Sequence, residues 1–358
     1  MNLTIKTEQL QDMVNRAIKC ASNNKLIPLT SLMSVKVDNG VLVLTTTDGA
    51  NFYYVRSASA VQCDDFEVSV LADLFTKLVL KTTSETLTLS VEDNVLEIKG
   101  NGTYKMELPL DEGGKIIKFP KKFDEFVNVG KTVKRDDIDR IIAYNKNSLA
   151  VSVTLPSLTC YYCGDTVISC DSHMVCSTEM HLFDNDLLIS PQLMEILSIF
   201  KATEINCSIN DDFIIFETAN DLVYAPIIEG VDTYPADALN SLLNGEFPSM
   251  CKINRDDVLS LLDRLSLFVG SYDKKLIYLT FTNEGVMFNS KKMSGSELVP
   301  YIESENFSDY TCAVDINMLQ SQLQTQSNET ITMYYGSDVA IKFVSEGVTQ
   351  LVALANEE

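Results

Sequence analysis

Four cysteines and one histidine are concentrated in a short segment of the chain. They form a C-x2-C pair and a C-x2-H-x2-C run, at Cys160, Cys163, Cys170, His173 and Cys176. Thiolate and imidazole groups at such spacings are the ligands that tetrahedral zinc prefers. The segment is therefore a candidate metal site.

The same segment also has the alternating pattern of a β-hairpin, with a turn at Gly164-Asp165. Residues an odd number of positions apart on a strand point to opposite faces, so Cys160 and Cys163 would be separated. The hairpin explains the segment without a metal. We predict that the chain binds no cofactor, and a zinc-binding scaffold is the alternative.

Two pairs of adjacent acids are the other candidates for chemistry. Asp136-Asp137 and Asp256-Asp257 could bind the magnesium ions of a nuclease, but each pair stands in the first turn of a predicted helix, where the helix dipole favours acids. The chain has only two histidines, and its sequence contains neither a P-loop nor a nucleophile elbow. We therefore predict that the protein is not an enzyme.

The composition is that of a globular protein. At 358 residues the chain is long enough for two or three domains. No run approaches the ~18 to 20 apolar residues that a membrane helix needs, and the N-terminal residues lack the apolar core of a signal peptide. The nine cysteines are expected to be reduced thiols. These features predict a cytoplasmic protein.

A helix followed by a hairpin occurs three times, at residues 69–100, 189–220 and 314–347. In the first copy an apolar helical stripe with the spacing i, i+3, i+4, i+7 is predicted from Leu71, Leu74, Phe75 and Leu78. The copy ends with alternating strand residues around a turn at Asp93-Asn94.

A second series of helices precedes these copies. Its corresponding apolar residues Leu10, Ile138 and Val258 are 128 and 120 residues apart, so each repeated unit has about 120 residues. We predict an α+β protein of three domains, 1–122, 123–246 and 247–358, each with two helices packed on antiparallel sheets.

Each such unit leaves a free sheet edge, which must be joined to a neighbour or protected. End-to-end joining of the three units meets this need within the chain. If the last unit also joins the first unit of another chain, the assembly closes into a ring.

The three-unit pattern, with LIPLTSLMSVKVDNGVLVLTTTD at 26–48 and SCDSHMV at 169–175, resembles the bacterial DNA sliding clamp, the β subunit of DNA polymerase III, or a phage relative. The resemblance implies a head-to-tail homodimeric ring with helices inside, which encircles duplex DNA and catalyses nothing. It also implies that a replicative polymerase and a clamp loader bind through a short peptide motif. A repeat scaffold that does not encircle DNA is the alternative.

The net charge of -22 argues against a nucleic-acid partner unless the charge is unevenly distributed. The six predicted helices together carry a net charge of zero, so the acid excess lies outside them. Such a distribution suits a pore that tolerates DNA. The predicted DNA-binding residues are Arg16, Lys19, Lys25, Lys77, Lys81, Lys134, Arg135, Arg140, Lys146, Lys201, Arg255 and Arg264; the alternative is that they balance nearby carboxylates.

The resemblance also places a peptide-binding pocket between the second and third units. The residues that match its walls are Cys170, Ser172, His173, Met174, Val175, Tyr234, Leu351, Val352 and Leu354. Ser172 and Met174 replace a glycine and an arginine that are usual in the family. For His173 the alternative is a strand-end histidine with an ordinary hydrogen bond.

The matched positions at the contact between chains are Met106, Leu108, Phe268 and Val269. The first two lie on a predicted strand of the first unit, and the others end the first helix of the third unit. They are expected to form the dimer interface, and the alternative is that they belong to the core.

Overall fold

The computed structural model describes residues 2–24, 26–49, 54–119, 130–151, 155–210, 212–269, 275–290 and 294–355. Within these ranges the chain forms α-helices and antiparallel sheets, as predicted for an α+β protein. The helices are α1 (Thr7–Ala17), α2 (Ala72–Lys81), α3 (Arg135–Asn145), α4 (Pro191–Ser198), α5 (Ala236–Leu243), α6 (Arg255–Ser266) and α7 (Ile316–Thr325). All except α5 correspond to predicted helices.

The chain divides into two compact units. Unit 1 comprises Met1–Ile138 and Gln192–Ile227, and unit 2 comprises Asp139–Pro191 and Ile228–Glu358. The division into three domains by repeat remains a prediction, and its first boundary, at 122, lies outside the described residues.

Unit 1 contains an eight-stranded and a four-stranded sheet. The larger has the order β5 (Phe66–Leu71), β2 (Leu32–Asp38), β3 (Val41–Thr47), β4 (Tyr54–Ala60), β16 (Asp221–Pro226), β15 (Phe213–Glu217), β14 (Glu204–Ile209) and β9 (Lys131–Lys134). The smaller has the order β1 (Asn2–Lys6), β6 (Thr86–Glu92), β7 (Val95–Lys99) and β8 (Thr103–Glu107). In the larger sheet β4 pairs with β16, which places Asp221 opposite Ser57.

Unit 2 repeats this organisation with a nine-stranded and a four-stranded sheet. The larger has the order β13 (Leu187–Ile189), β10 (Tyr161–Cys163), β11 (Val167–Cys170), β12 (Met174–Thr178), β25 (Val348–Ala353), β24 (Ala340–Ser345), β23 (Thr330–Tyr335), β17 (Ser249–Asn254) and β21 (Glu303–Glu305). The smaller has the order β20 (Ser296–Pro300), β19 (Gly285–Ser290), β18 (Leu276–Phe281) and β22 (Tyr310–Asp315). Here β12 pairs with β25, and Cys176 lies opposite Gln350.

The hairpin between β2 and β3 turns at Asn39 and Gly40, whose φ angles are 51° and 74°. A two-residue hairpin turn of this kind needs positive φ at both central residues, which Asn and Gly adopt most readily. Asp93 has a φ of 51° at the turn between β6 and β7. The turn at Asp93-Asn94 was predicted from the sequence, and both turns fix the register of their hairpins.

Apolar stripes seat the helices on the sheets of each unit. In α6 the residues Val258, Leu261, Leu262 and Leu265 are all buried in the main core of unit 2, as their helical spacing predicts. The spacing was equally informative for α1, which is buried at Leu10, Met13, Val14 and Ala17.

The predicted stripe of α2 is wrong by one residue. The buried face consists of Ala72, Phe75, Thr76 and Val79, whereas Leu74 is 52% exposed. This helix is apolar on two neighbouring faces that both have the spacing i, i+3, i+4, i+7, so periodicity cannot choose between them. The face with the small side chains of Ala72 and Thr76 is the one that packs inward.

A buried ion pair joins α1 to strand β16 within unit 1. The guanidinium of Arg16 donates to a carboxylate oxygen of Asp221, and the two side chains are 8% and 2% exposed. Burial raises the pKa of Asp221, although the Arg16 guanidinium beside it acts in the opposite direction. The cost of removing both charges from water is therefore large compared with their attraction.

We expect the Asp221→Asn variant to lose about 3 kcal/mol of unfolding free energy, because it leaves Arg16 buried without its main counter-charge. The double variant Arg16→Met/Asp221→Leu should lose much less, since it removes both desolvated charges. Urea denaturation of the three proteins measures the difference. A double variant as unstable as the single one would contradict this account.

Candidate functional site

A groove of about 340 Å³ lies on the surface of unit 2. Its walls are formed by the start of β12, the C-terminal end of α5 with the following loop, the start of β24 and the end of β25. Leu242 and Val339 are exposed at this groove. It therefore offers apolar surface that water covers in the isolated chain.

Four of the nine predicted pocket residues line the groove: Ser172, His173, Val175 and Leu351. Cys170 and Tyr234 are buried in the apolar cluster to which Leu351 and Val175 also belong. The remaining three do not line it: Met174, Val352 and Leu354. Val352 points into the main core of unit 2, and Leu354 lines a separate cavity of about 310 Å³.

A tight turn between β11 and β12 presents His173 and Ser172 to the groove. The Asp171 Oδ1 atom accepts the backbone N–H groups of His173 and Met174 at 2.9 and 2.6 Å. The carbonyl oxygen of His173 accepts the N–H of Ala353 at 2.8 Å, which connects the turn to the end of β25. Ser172 has a φ of 80°, a left-handed conformation that is costly for a residue with a Cβ atom.

Stacked tyrosines support the pocket segment from below. The ring of Tyr234 stacks on Tyr162 at a centroid distance of 4.9 Å, and its hydroxyl donates to the Ile168 carbonyl at 3.3 Å. Burial raises the pKa of the Tyr234 phenol. Tyr162 in turn donates to Asp186 at 2.6 Å. Tyr234 thus acts as a structural support here and does not line the groove.

Lys342 fixes the wall that α5 contributes. Its ammonium donates to the Leu243 carbonyl at 3.1 Å and lies 4.8 Å from the ring centre of Phe247 and 5.4 Å from that of Tyr334. Partial burial lowers the pKa of Lys342. A cation over two aromatic faces is a favourable contact, and it holds the loop after α5 against the sheet.

Sequence reasoning missed α5, although this helix supplies Leu242 and the approach to Phe247. A signal was present in the run ADALNSLL, where Leu239 and Leu243 are four residues apart and both buried. Pro235 directly precedes the helix as its N-cap residue. The run is only eight residues long and stands outside the repeat pattern, which is why the repeat did not reveal it.

The cysteines of the candidate zinc segment are buried. Burial raises the pKa values of the Cys160, Cys163, Cys170 and Cys176 thiols, the last to about 12. Zinc binds thiolates, which burial disfavours. Within the described ranges, no group of three or more His, Cys, Asp or Glu side chains is placed to hold a metal ion.

Several of the predicted DNA-binding cations are already paired with carboxylates. Lys77 lies 2.7 Å from Asp73 and Lys201 lies 2.8 Å from Asp12. Arg135, Arg255 and Arg264 pair with Asp136, Asp256 and Glu297. Arg140 donates to the backbone carbonyl of Glu346.

Among the described cations of the predicted DNA-binding set, those that are exposed and have no carboxylate within 4.0 Å are Lys19, Lys81, Lys134 and Lys146. Arg16 differs from the other candidates because its side chain is buried and paired with Asp221, which leaves it little surface for a phosphate. Lys25 lies outside the described residues.

The four residues assigned to a dimer interface fall into two groups. Met106 and Leu108 are buried in the core of unit 1, so their side chains offer little surface to a partner. Val269 is partly buried against the core of unit 2. Phe268 is 54% exposed. Of the four, Phe268 presents the most apolar surface to solvent.

In each unit two groups of strands join edge to edge into one large sheet, helices pack on the sheets, and unit 2 carries an apolar groove beside its last strand. This arrangement is the fold of a DNA sliding clamp. Residues 1–112 match the family model of the "DNA polymerase III beta subunit, N-terminal domain". No curated protein sequence matches the chain. The resemblance predicted from the sequence is confirmed over the first 112 residues by this match, and over the whole chain by its fold.

Three solved structures illustrate the shared fold, and each alignment covers all of both chains. The beta subunit of the DNA polymerase from Streptococcus pyogenes has a TM-score of 0.87 at 16% identity. The DNA polymerase sliding clamp from Bacillus subtilis has a TM-score of 0.85 at 17% identity, and the DNA polymerase III beta subunit from Thermotoga maritima has 0.84 at 15% identity. No helix in the described part of the chain is long and apolar enough to cross a membrane.

We expect Ser172→Gly to raise the unfolding free energy by about 1 kcal/mol, because glycine adopts the left-handed conformation without a steric cost. The matched exchange Ser177→Gly, within strand β12, should lower it, since glycine weakens a strand and the hydroxyl bond to Thr166 is lost. Thermal unfolding of both variants measures the two signs. A loss of stability in Ser172→Gly would show that the turn is not strained.

Proposed function

We propose that the protein is a DNA sliding clamp, a processivity factor that forms a head-to-tail homodimeric ring around duplex DNA. It tethers a replicative polymerase and receives a clamp loader through a short peptide bound in the groove. It acts in the cytoplasm as a scaffold and catalyses no reaction. Its hold on DNA comes from topology.

The observation that carries this proposal is a strand pairing that occurs twice in the chain. In unit 1 the pairing of β4 with β16 joins a four-strand group that ends at β4 to one that ends at β16. In unit 2 the pairing of β12 with β25 joins a four-strand group that ends at β12 to a five-strand group that ends at β25. β4 and β12 are thus equivalent strands in the two units, and so are β16 and β25.

By the repeat, the strands equivalent to these are β20 and β8. Each is the outer strand of a four-stranded sheet. A third pairing of the same kind would therefore join β20 of one chain to β8 of the next, and an unpaired edge of this length is a surface that proteins normally cover. A heterologous contact whose rotation closes gives a ring.

Exposed apolar side chains support the same contact. Leu71 and Leu74 are exposed around the start of α2 in unit 1, and Leu267 and Phe268 are exposed just after α6 in unit 2. Leu71 and Leu74 lie in the first repeat, which carries β8, and Leu267 and Phe268 lie in the third repeat, which carries β20. They replace the buried Met106 and Leu108 as the apolar part of the proposed interface.

Weak attraction to phosphates fits a ring that slides. Lys19, Lys81, Lys134 and Lys146 are exposed on or beside the helices α1, α2 and α3. A few phosphate contacts give a sequence-independent and salt-sensitive attraction. The acidic remainder of the chain keeps the protein from binding DNA tightly anywhere else.

The groove supports the tethering role. Its exposed Leu242 and Val339 stand beside the polar turn of Ser172 and His173. An extended peptide with apolar anchors is recognised by such a combination of pockets and a few polar groups. The serine and methionine that flank His173 distinguish this groove from the usual one, so we expect a preference for the cell's own polymerase.

The ring is tested by assembling the protein on a nicked circular plasmid with its cognate clamp loader and ATP, and isolating the complex by gel filtration. We expect retention on the circle and release when a restriction enzyme linearises it. Light scattering should give twice the chain mass of 39.8 kDa. Phe268→Asp should shift the dimer towards monomer and abolish retention, because each interface loses about 2 kcal/mol of apolar burial.

The matched control is Phe307→Asp, the same exchange at another exposed phenylalanine of unit 2. It should remain a retained dimer. A repeat scaffold that binds only proteins would show no difference between circular and linear DNA, and that result would overturn the proposed ring.

The groove is tested by the Val339→Asp variant and the control Val41→Asp, which lies on strand β3 in unit 1. We expect the affinity for a peptide from the C-terminus of the cognate polymerase to fall at least 10-fold in Val339→Asp, since a charge would face an apolar anchor. Val41→Asp should bind normally. Calorimetric titration distinguishes the two, and equal binding by both would place the peptide elsewhere.

A further inference from the structure

Asp12 on helix α1 holds two cations at once. Its Oδ2 atom lies 2.8 Å from Nη2 of Arg16, and its Oδ1 atom lies 2.8 Å from Nζ of Lys201. Arg16 has a second carboxylate, Asp221, whereas the only carboxylate within 4.0 Å of Lys201, in the part of unit 1 that the structure describes, is Asp12. The side chain of Lys201 is 69% exposed and that of Asp12 is 32% exposed. The pair is therefore open to solvent ions.

The fold does not require an acid at this position. The repeat that relates Leu10 to Ile138 and Val258 places Arg140 and Ser260 at the positions equivalent to Asp12. A basic and a neutral residue thus occupy the same place on α3 and α6. We therefore look for the function of Asp12 in its effect on the charges of Arg16 and Lys201.

We propose that Asp12 limits the DNA attraction of unit 1 by neutralising Lys201 and adding a negative charge beside it. This inference rests on the proposed function, since it concerns how strongly the ring is drawn to the duplex. Lys201 must leave Asp12 before it can meet a phosphate. Asp12 therefore sets the strength of the contact between Lys201 and a DNA phosphate, and does not itself bind DNA.

The magnitudes allow such a competition. An exposed ion pair contributes about 0 to 1 kcal/mol, so a phosphate can displace it, and each phosphate that a protein neutralises steepens the salt dependence of log K by about 0.9. Removing the carboxylate frees Lys201 and leaves Arg16 paired with Asp221. The change therefore amounts to one additional phosphate contact.

The test measures binding of the full-length protein to a short blunt-ended duplex, by fluorescence anisotropy between 50 and 200 mM NaCl. We expect Asp12→Asn to bind about 3-fold more tightly at low salt, with a slope steeper by about 0.9. Lys201→Met should bind more weakly than the native protein. In the double variant Asp12→Asn/Lys201→Met most of the gain should disappear, because it acts through Lys201.

The control is Glu303→Gln, which removes an exposed carboxylate 2.6 Å from the Lys252 ammonium in unit 2. It changes the net charge equally and should leave binding at the native value. If Asp12 only stabilised the fold, Asp12→Asn and Lys201→Met would lower the melting temperature and weaken binding together, and the proposal would be overturned.

The inference and the proposed function can fail separately. A native protein that is retained on circular DNA, with Asp12→Asn binding no better than native, overturns the role of Asp12 alone. Equal gains in Asp12→Asn and Glu303→Gln would assign the effect to net charge and also overturn it. A native protein that neither binds the duplex nor stays on the circle overturns both.

Discussion

The pairing of sheet edges is the constraint on which the rest of this structure depends. Antiparallel strands leave a row of unsatisfied backbone groups at each edge, and such an edge must be covered. The chain covers four such edges internally in two pairings, β4 with β16 and β12 with β25. Each unit is therefore one large continuous sheet, one small sheet and the helices packed on them. The groove depends on the same pairing, because the His173 carbonyl bonds to the N–H of Ala353 at the end of β25.

This constraint also explains why repetition and compactness divide the chain differently. The sequence repeat has a period of about 120 residues and marks three units. Edge pairing ties half of the middle repeat to the first and the other half to the third, so the contacts define two compact bodies. Backbone hydrogen bonds across β4–β16 and β12–β25 are as regular as those within a repeat. The repeat therefore describes the sequence, and the two compact bodies describe the contacts.

Much of the fold could be predicted because it rests on local signals. Asn39-Gly40 dictates a hairpin turn, and the stripe from Val258 to Leu265 can be buried in only one way. The buried face of α2 and the environment of Arg16 could not be predicted, since each depends on contacts with residues far along the chain. Arg16 is neutralised by Asp221, 205 positions away. In the candidate site the turn around His173 was found from its residues, while Leu242, Phe247 and Val339 come from segments that carry no motif.

The side chains at the two internal joints show how freely sequence varies around a fixed backbone pairing. In unit 1, Arg16 meets Asp221 as a buried ion pair. In unit 2 the repeat places Tyr144 at the position of Arg16, and its carbonyl accepts the amide of Gln350, which also donates to Thr325 at 2.7 Å. One joint thus uses charges and the other amides, although the strands pair in the same way. Because the pairing is made by the backbone, side chains can diverge without loss of the fold, which agrees with a fold shared over the whole chain at 16% sequence identity.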